Sequence, residues 1–277
     1  MTALTLTRAP GRRWSLPLAW AVLAPILVAA AAPELLAAVS PIATDPVNAL
    51  LPPGAGHWFG TDQLGRDLFT RVVHGARPSL LLGLGATVLA VAAGALLGLA
   101  AALGGRAADQ VVTRVLDILL SLPQLLLALL VITVLGGGVA NVVLAIAVAF
   151  TPGYARIVRA EALVVRRSGY VEAAKGLGLG RPALIARHIL PNAVGPLLVL
   201  ATVGFGTALI AGSGLSFLGF GVQPPDPEWG AMLAEGRDFL ATAWWIGLFP
   251  GAAITATVIA VNVLGRAAQR RFTRRTS

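Results

Sequence analysis

Charged residues are missing from five long stretches of the chain: Trp14–Pro33, Pro78–Gly105, Ile118–Ala155, His188–Pro225 and Phe239–Gly265. These run to 20, 28, 38, 38 and 27 residues. A helix needs about 20 apolar residues to cross a hydrocarbon core of about 30 Å, so each stretch predicts at least one span. A continuous helix over 38 residues would measure about 57 Å, so the two longest stretches must break. In the first, Gly136-Gly137-Gly138 supplies a turn, which predicts a hairpin of Leu119–Leu135 and Val139–Phe150 or slightly beyond. In the second, Val194–Leu218 predicts one helix, and the glycines and prolines of 219–225 read as a loop. The pattern predicts an all-α polytopic membrane protein with six spans in one domain.

The boundaries that follow are a tail at 1–13, a first helix at 14–38 and an external loop at 39–77. Helices two to four occupy 78–158, and a large cytoplasmic loop 159–191. Helices five and six occupy 192–265 with an external loop near 219–241, and a second cytoplasmic tail covers 266–277. Composition agrees, with 57% hydrophobic and only 12% charged residues, about half the charged share of a soluble domain. The first helix reads as an uncleaved span, not a signal peptide. Its apolar run passes Ala30-Ala31-Ala32 to reach Val39, and Pro33 follows the alanine cluster directly.

Six spans put both termini on one side, and that sorting gathers 17 of the 21 Lys and Arg there. Only Arg66, Arg71, Arg77 and Arg237 fall on the other side, together with eight of the twelve acids. The positive-inside rule makes the basic side cytoplasmic. The net charge of +9 is therefore a topology signal and not a nucleic-acid footprint. With no cysteine in the chain, disulfides and thiolate metal sites are excluded.

Seven of the basic residues lie between Arg156 and Asn192. Ser168-Gly169 precedes a run of good helix formers, with Glu172 in its first turn and Lys175 near its end, both matched to the helix dipole. Gly176, Gly178 and Gly180 end that helix. Arg181-Pro182 starts a second, which continues to Pro191. From the residues alone this is a short helix, a glycine turn and a second short helix, equally readable as a basic loop held near anionic lipid.

The stretch EAAKGLGLGRPALIARHILPN, Glu172 to Asn192, resembles the "EAA" loop of binding-protein-dependent ABC importers. Glu172, Ala173, Ala174, Gly178, Leu190 and Pro191 fall on its pattern, and His188 stands where that pattern has Ile, with Ile189 beside it. HWFGTDQLGRDLFTRVVHGARPSLLLGL, His57 to Leu84, resembles the segment before the second span in the C-type permeases of dipeptide, oligopeptide and nickel importers. GLSFLGFGVQPPDPEWGAMLAEGRDFL, Gly214 to Leu240, resembles their loop between spans five and six. The resemblance covers about 57–277 and implies a type I importer permease fold.

It further implies a permease that forms half of a translocation pathway for di- or oligopeptides, with nickel, glutathione or opine import as alternatives in the same architecture. A secondary transporter or channel working without ATP is the alternative from a different class; it would have no need of the loop. The implied partners are a second homologous permease, two ABC ATPases that hold ATP and Mg, an extracytoplasmic binding protein and membrane lipid, with no nucleic acid. Glu172, Ala173, Ala174, Gly178, Arg187, His188, Leu190 and Pro191 would form the loop that docks on an ATPase. Small side chains there permit close approach, Gly178 permits a sharp turn, and Glu172 anchors either to an ATPase arginine or within the loop to Arg181 or Arg187.

Catalysis by this chain is not expected. Its one lysine, Lys175, is followed by Gly176 and Leu177, so there is no P-loop. His57, His74 and His188 form no metalloprotease pattern. Ala211-Gly212-Ser213-Gly214 resembles the serine motif of rhomboid proteases, yet the sixth span contains no histidine base. No cofactor and no metal site are expected. Gly94-x-x-x-Gly98 and Gly247-x-x-x-Gly251 read as close helix packing. Gln124, Asn141 and Asn262 are polar at membrane depth and become candidates for the path, or for interhelical hydrogen bonds. Asp117 and Arg156 sit near the cytoplasmic ends. In the second external loop Asp226, Glu228 and Trp229 are candidates for contact with the binding protein, and Trp244-Trp245 are interface anchors.

Overall fold

A computed structural model describes residues 15–273. The expected tail at 1–13 and the arginines Arg274 and Arg275 lie outside the described residues. Among the described residues there are ten α-helices and no β-strand beyond an isolated bridge between Thr61 and Asp67. Four helices contain segments long and apolar enough to cross a membrane: 68–103, 139–166, 200–217 and 245–268. A bent pair makes a fifth, and Ser15–Ala31 is a shorter apolar helix of 17 residues.

That first helix, α1 (Ser15–Ala31), packs Ala19 and Leu23 against Ala260 and Val261 of the last helix. Helix α2 (Leu68–Leu103) starts ten residues before the expected Pro78 and has 36 residues, a length of about 54 Å. Its start is set by Asp67, whose carboxylate accepts hydrogen bonds from the Thr70 backbone N and Oγ1, each at 2.8 Å. Pro78 lies inside the helix, so proline there did not mark the boundary. The glycines of α2 meet the next long helix: a Cβ on Gly94 would stand 2.5 Å from Tyr154 Cβ, and one on Gly98 2.5 Å from the Ala155 carbonyl. The expected close packing at Gly94 and Gly98 is present.

The expected span Leu119–Leu135 is corrected. Residues Arg106–Leu120 form α3, an amphipathic helix, and Gln124–Leu135 form α4, with a bend of 95° between them. Pro123 has no N–H to continue the ladder and disfavours helical backbone at Leu122, while Ser121 Oγ donates to the Ile118 carbonyl at 2.7 Å. Gly136 and Gly138, at φ +82° and +118°, make the expected turn into α5 (Val139–Arg166). Helix α5 runs 16 residues beyond Phe150, because Ala155, Val158 and Ala162 extend its buried face.

Two short helices follow, α6 (Gly169–Gly176) and α7 (Arg181–Leu184), then a π-helical turn over Ile185–Ile189 and α8 (Leu190–Phe217). The helical path therefore does not stop at Pro191, which sits in the first turn of α8. The wider π turn, closed by Leu190 N to Ile185 O, relieves the clash that a proline ring makes with the carbonyl four residues back. Helix α9 (Trp229–Gly236) lies within the expected loop near 219–241, and α10 (Trp245–Thr273) completes the chain. One apolar core, with Leu68, Trp229, Met232, Trp245 and Ile246, lies at the end where α2 begins. Another, with Ala102, Val165, Val171, Leu184 and Ile189, lies at the end where α2 and α5 finish.

Candidate functional site

The segment between α5 and α8 is seated on the ends of two long helices. Val171 of α6, Leu184 of α7 and Ile189 bury against Ala102 of α2 and Ala162 and Val165 of α5. Arg166 Nη1 donates to the Ala102 carbonyl at 2.8 Å, and Arg181 donates to the Leu103 carbonyl. A helix leaves its last carbonyls without intrahelical partners, and here two arginines fill that need for α2.

Glu172 and Ala173 face outward, whereas Ala174 is half-buried against the seat. Glu172 makes no ion pair or hydrogen bond through its side chain within the described residues. The bridge to Arg181 is not formed because that guanidinium is occupied at α2, and Arg187 is exposed and makes no ion pair among the described residues. Gly178 adopts φ +84°, a left-handed conformation that favours glycine, and turns the chain back so that Leu179 N reaches the Ala174 carbonyl at 3.1 Å. His188 packs its ring 6.3 Å from that of Tyr170, linking the two halves of the loop. Leu190 and Pro191 are exposed.

Sequence reasoning missed Leu177, which is 87% exposed at the tip of the loop. The signal was its place as a lone large apolar residue between Gly176 and Gly178. Glu172, Ala173, Leu177 and Arg187 are each exposed, which leaves an acid, a base and an apolar knob on the outside of this segment.

At the opposite end the loops are folded and not merely solvated. Arg66 pairs with Asp62 at 2.5 Å and with Glu235 at 2.9 Å; Arg71 pairs with the same two acids at 3.4 and 3.1 Å. Asp62, Arg66 and Arg71 are each at most 2% exposed. Arg71 Nη1 also donates to the carbonyls of Pro41 and Pro225. Two of the candidates for a binding-protein contact are corrected here. Trp229 is 1% exposed, its Nε1 donating to the Val72 carbonyl at 2.9 Å. Glu228 is buried as the N-cap of α9, accepting from Gly230 N, Ala231 N and Ser79 Oγ. Asp226 alone of the three is exposed.

The polar candidates at membrane depth are not brought together. Gln124 opens α4 and is exposed. Asn141 sits past the other end of that helix, about 18 Å away, and its amide donates to the carbonyls of Leu135, Gly136 and Gly137. Asn262 on α10 donates to the Val258 carbonyl at 2.8 Å and lies against Gly206 of α8. Asp117 and Arg156 do meet, at 2.7 Å, and Asp109 receives two hydrogen bonds from Arg159 at 2.5 and 2.8 Å. Those bonds hold the Asp109 carboxyl below the ordinary carboxylate range. The close packing expected at Gly247 is present against α9, where a Cβ on Gly236 would stand 3.0 Å from Gly247 N, whereas Gly251 meets Leu233 of α9 at an ordinary contact distance and borders a groove with Thr255 and Ile259.

The family model described as "Binding-protein-dependent transport system inner membrane component" matches residues 94–277. A dipeptide transport system permease protein of Alkalihalophilus pseudofirmus is 44% identical over 222 residues, 80% of this chain and 73% of that protein. A probable D,D-dipeptide transport system permease protein of Escherichia coli is 47% identical over 226 residues, 81% of this chain and 76% of that protein. A glutathione transport system permease protein, also of Escherichia coli, is 44% identical over 213 residues, covering 77% and 70%. Among solved structures, an amino acid ABC transporter with histidines superposes with a TM-score of 0.59 at 18% identity, covering 73% of this chain and 94% of that one. That likeness speaks for the fold.

Proposed function

The chain belongs to the family of binding-protein-dependent transport system inner membrane components, and from that premise we propose that it forms one half of a translocation pathway for di- or oligopeptides. It is the permease subunit of an ABC importer, a multi-pass membrane protein whose family is not an enzyme family and works with ATPase and substrate-binding partners. The peptide assignment is supported by the two dipeptide permeases at 44% and 47% identity. The second reading, glutathione import, is supported by a relative of comparable identity and describes a peptide-like cargo as well.

In the proposed topology α1, α2, α4, α5, α8 and α10 are the six passes, α3 turns into α4 without crossing, and both termini are cytoplasmic. A second, homologous permease completes the path, and two ATPases dock at the two coupling loops. The observation that carries this reading is the seat of α6: its exposed Glu172, Ala173 and Leu177 stand on a base formed by the ends of α2 and α5. ATPase closure, applied there, tilts two long helices. Asp226 is an exposed acid offered to the binding protein.

The test is reconstitution of the assembled importer in vesicles, with ATP-dependent uptake of a labelled dipeptide measured beside ATPase rate. Glu172→Arg and Leu177→Asp are expected to insert normally and abolish uptake while ATP hydrolysis loses its dependence on loaded binding protein. Unchanged coupled uptake in both variants would remove the assignment. Mass spectrometry of the ligand carried by the cognate binding protein separates dipeptides from glutathione and nickel complexes.

A further inference from the structure

Helix α3 presents two parallel stripes to the outside. Arg106, Gln110, Arg114 and Asp117 are exposed along one line, and Ala107, Val111, Val115 and Ile118, each one residue later, are exposed along the next. Successive residues on a helix are about 100° apart, so a polar stripe adjoins an apolar one. The third side faces the protein, with Leu116 only 2% exposed. Val111, Val115 and Ile118 are 64%, 48% and 68% exposed, and the apolar surface continues onto Leu125, Leu126 and Leu130 of α4 at 53%, 55% and 56%.

The orientation of α3 is set by its clamps to α5. Asp109 and Asp117, about 12 Å apart along α3, pair with Arg159 and Arg156, which are about 4.5 Å apart along α5. Helix α3 therefore crosses α5 steeply, in keeping with its bend of 95° from α4. Arg156 and Arg159 lie about 26 and 30 Å from the start of α5 at Val139, which matches a hydrocarbon core of about 30 Å. The clamps occupy both acids of α3, whereas Arg106 and Arg114 make no ion pair within the described residues.

We propose that α3 lies in the plane of the cytoplasmic membrane boundary, with Val111, Val115 and Ile118 in the acyl layer and Arg106 and Arg114 on the phosphates of anionic lipid. This rests on the transport reading for its choice of side. Three observations select lipid as the occupant: the adjoining polar and apolar stripes of an interfacial helix, the continuity of the apolar stripe with α4, and two cations left unpaired at the stripe boundary. Through Asp109 and Asp117 the seated helix holds α5, the helix that leads into the coupling loop.

The experiment uses the assembled importer in vesicles of phosphatidylethanolamine and phosphatidylglycerol. This chain has no cysteine, so Gln110→Cys, Val111→Cys, Val115→Cys and Ile118→Cys each carry one nitroxide, the partner subunits being freed of reactive thiols. Collision with oxygen is expected to exceed collision with a water-soluble nickel chelate at 111, 115 and 118, and the order to reverse at 110. Chelate-dominated collision at 115 and 118 overturns the proposal, as does exclusion of both reagents there, the signature of a second permease covering the stripe. The label at 115 is expected to lie deeper with phosphatidylglycerol than in pure phosphatidylcholine, and Arg106→Gln with Arg114→Gln to abolish that difference. Loss of the difference on adding inorganic phosphate, or its absence from the start, overturns the lipid contact of the arginines. ATP-driven uptake by the unsubstituted importer in the same vesicles reports separately on the transport reading.

Discussion

Arg71 on α2 donates to Glu235 on α9 at 3.1 Å, joining residues 164 positions apart in the chain. Because Arg66 reaches the same Glu235 oxygen and both arginines reach Asp62, two buried cations balance one buried anion and one, Glu235, that is 15% exposed. Removing one member leaves an uncompensated buried charge. Glu235→Ala is expected to cost about 3 kcal/mol, read as a lowered thermal midpoint of the purified subunit. Arg237→Ala, which breaks a pair exposed at 59% and 73%, is expected to cost less than about 1 kcal/mol.

Gly98 and Gly251 separate in the same assay. Gly98→Ala forces a Cβ to within 2.5 Å of the Ala155 carbonyl, and the displacement of α5 is expected to cost about 1–3 kcal/mol. At Gly251 the nearest atom to a new Cβ is Leu233 Cδ2 at 3.5 Å, an ordinary contact, so Gly251→Ala is expected to stay within about 0.5 kcal/mol.

Asp109 gives a pH signature. Its hydrogen bonds from Arg159 depress its folded-state pKa below the ordinary value of 3.8, so the folded state favours the ionised form. The stabilisation is fully present above the unfolded value and is lost as pH falls through the lower folded value. Thermal midpoints of the unsubstituted protein and Asp109→Asn are expected to differ at neutral pH and to converge below about pH 4. A constant gap across that range would contradict the assignment.

Photocrosslinkers distinguish the buried and exposed members of the loop between α8 and α10. A probe replacing Asp226 is expected to capture the binding protein. One replacing Trp229 is expected to link internally to α2, near Val72 and Gly75, against which the indole packs.

Much of the architecture was legible because lipid and water leave opposite marks on composition. The absence of charge over 78–105 and 239–265 and the glycine turn at 136–138 follow from which residues a bilayer tolerates and which turns glycine permits, whereas the Glu-Ala-Ala loop was legible through its resemblance to a known family. The 95° bend after α3 was present in the sequence as Pro123, yet it was overshadowed by the uncharged run around it, since hydropathy counts charge and not backbone donors.

Other features depended on partners far along the chain. Asp62, Arg66, Arg71, Glu228 and Trp229 look like loop residues in sequence, because charge and an indole near prolines ordinarily face water; only the folded chain brings Ser79, Val72 and Glu235 to them. Glu172 ran the other way: nearby arginines suggested an internal bridge, but Arg181 is drawn to the end of α2 and leaves Glu172 facing outward. The sequence by itself determined which segments are apolar enough to enter a membrane, since solvent preference is a property of each segment. Tertiary structure decided which polar groups are spent inside the protein and which remain for partners, because a buried charge is tolerated only where the fold delivers its counter-charge.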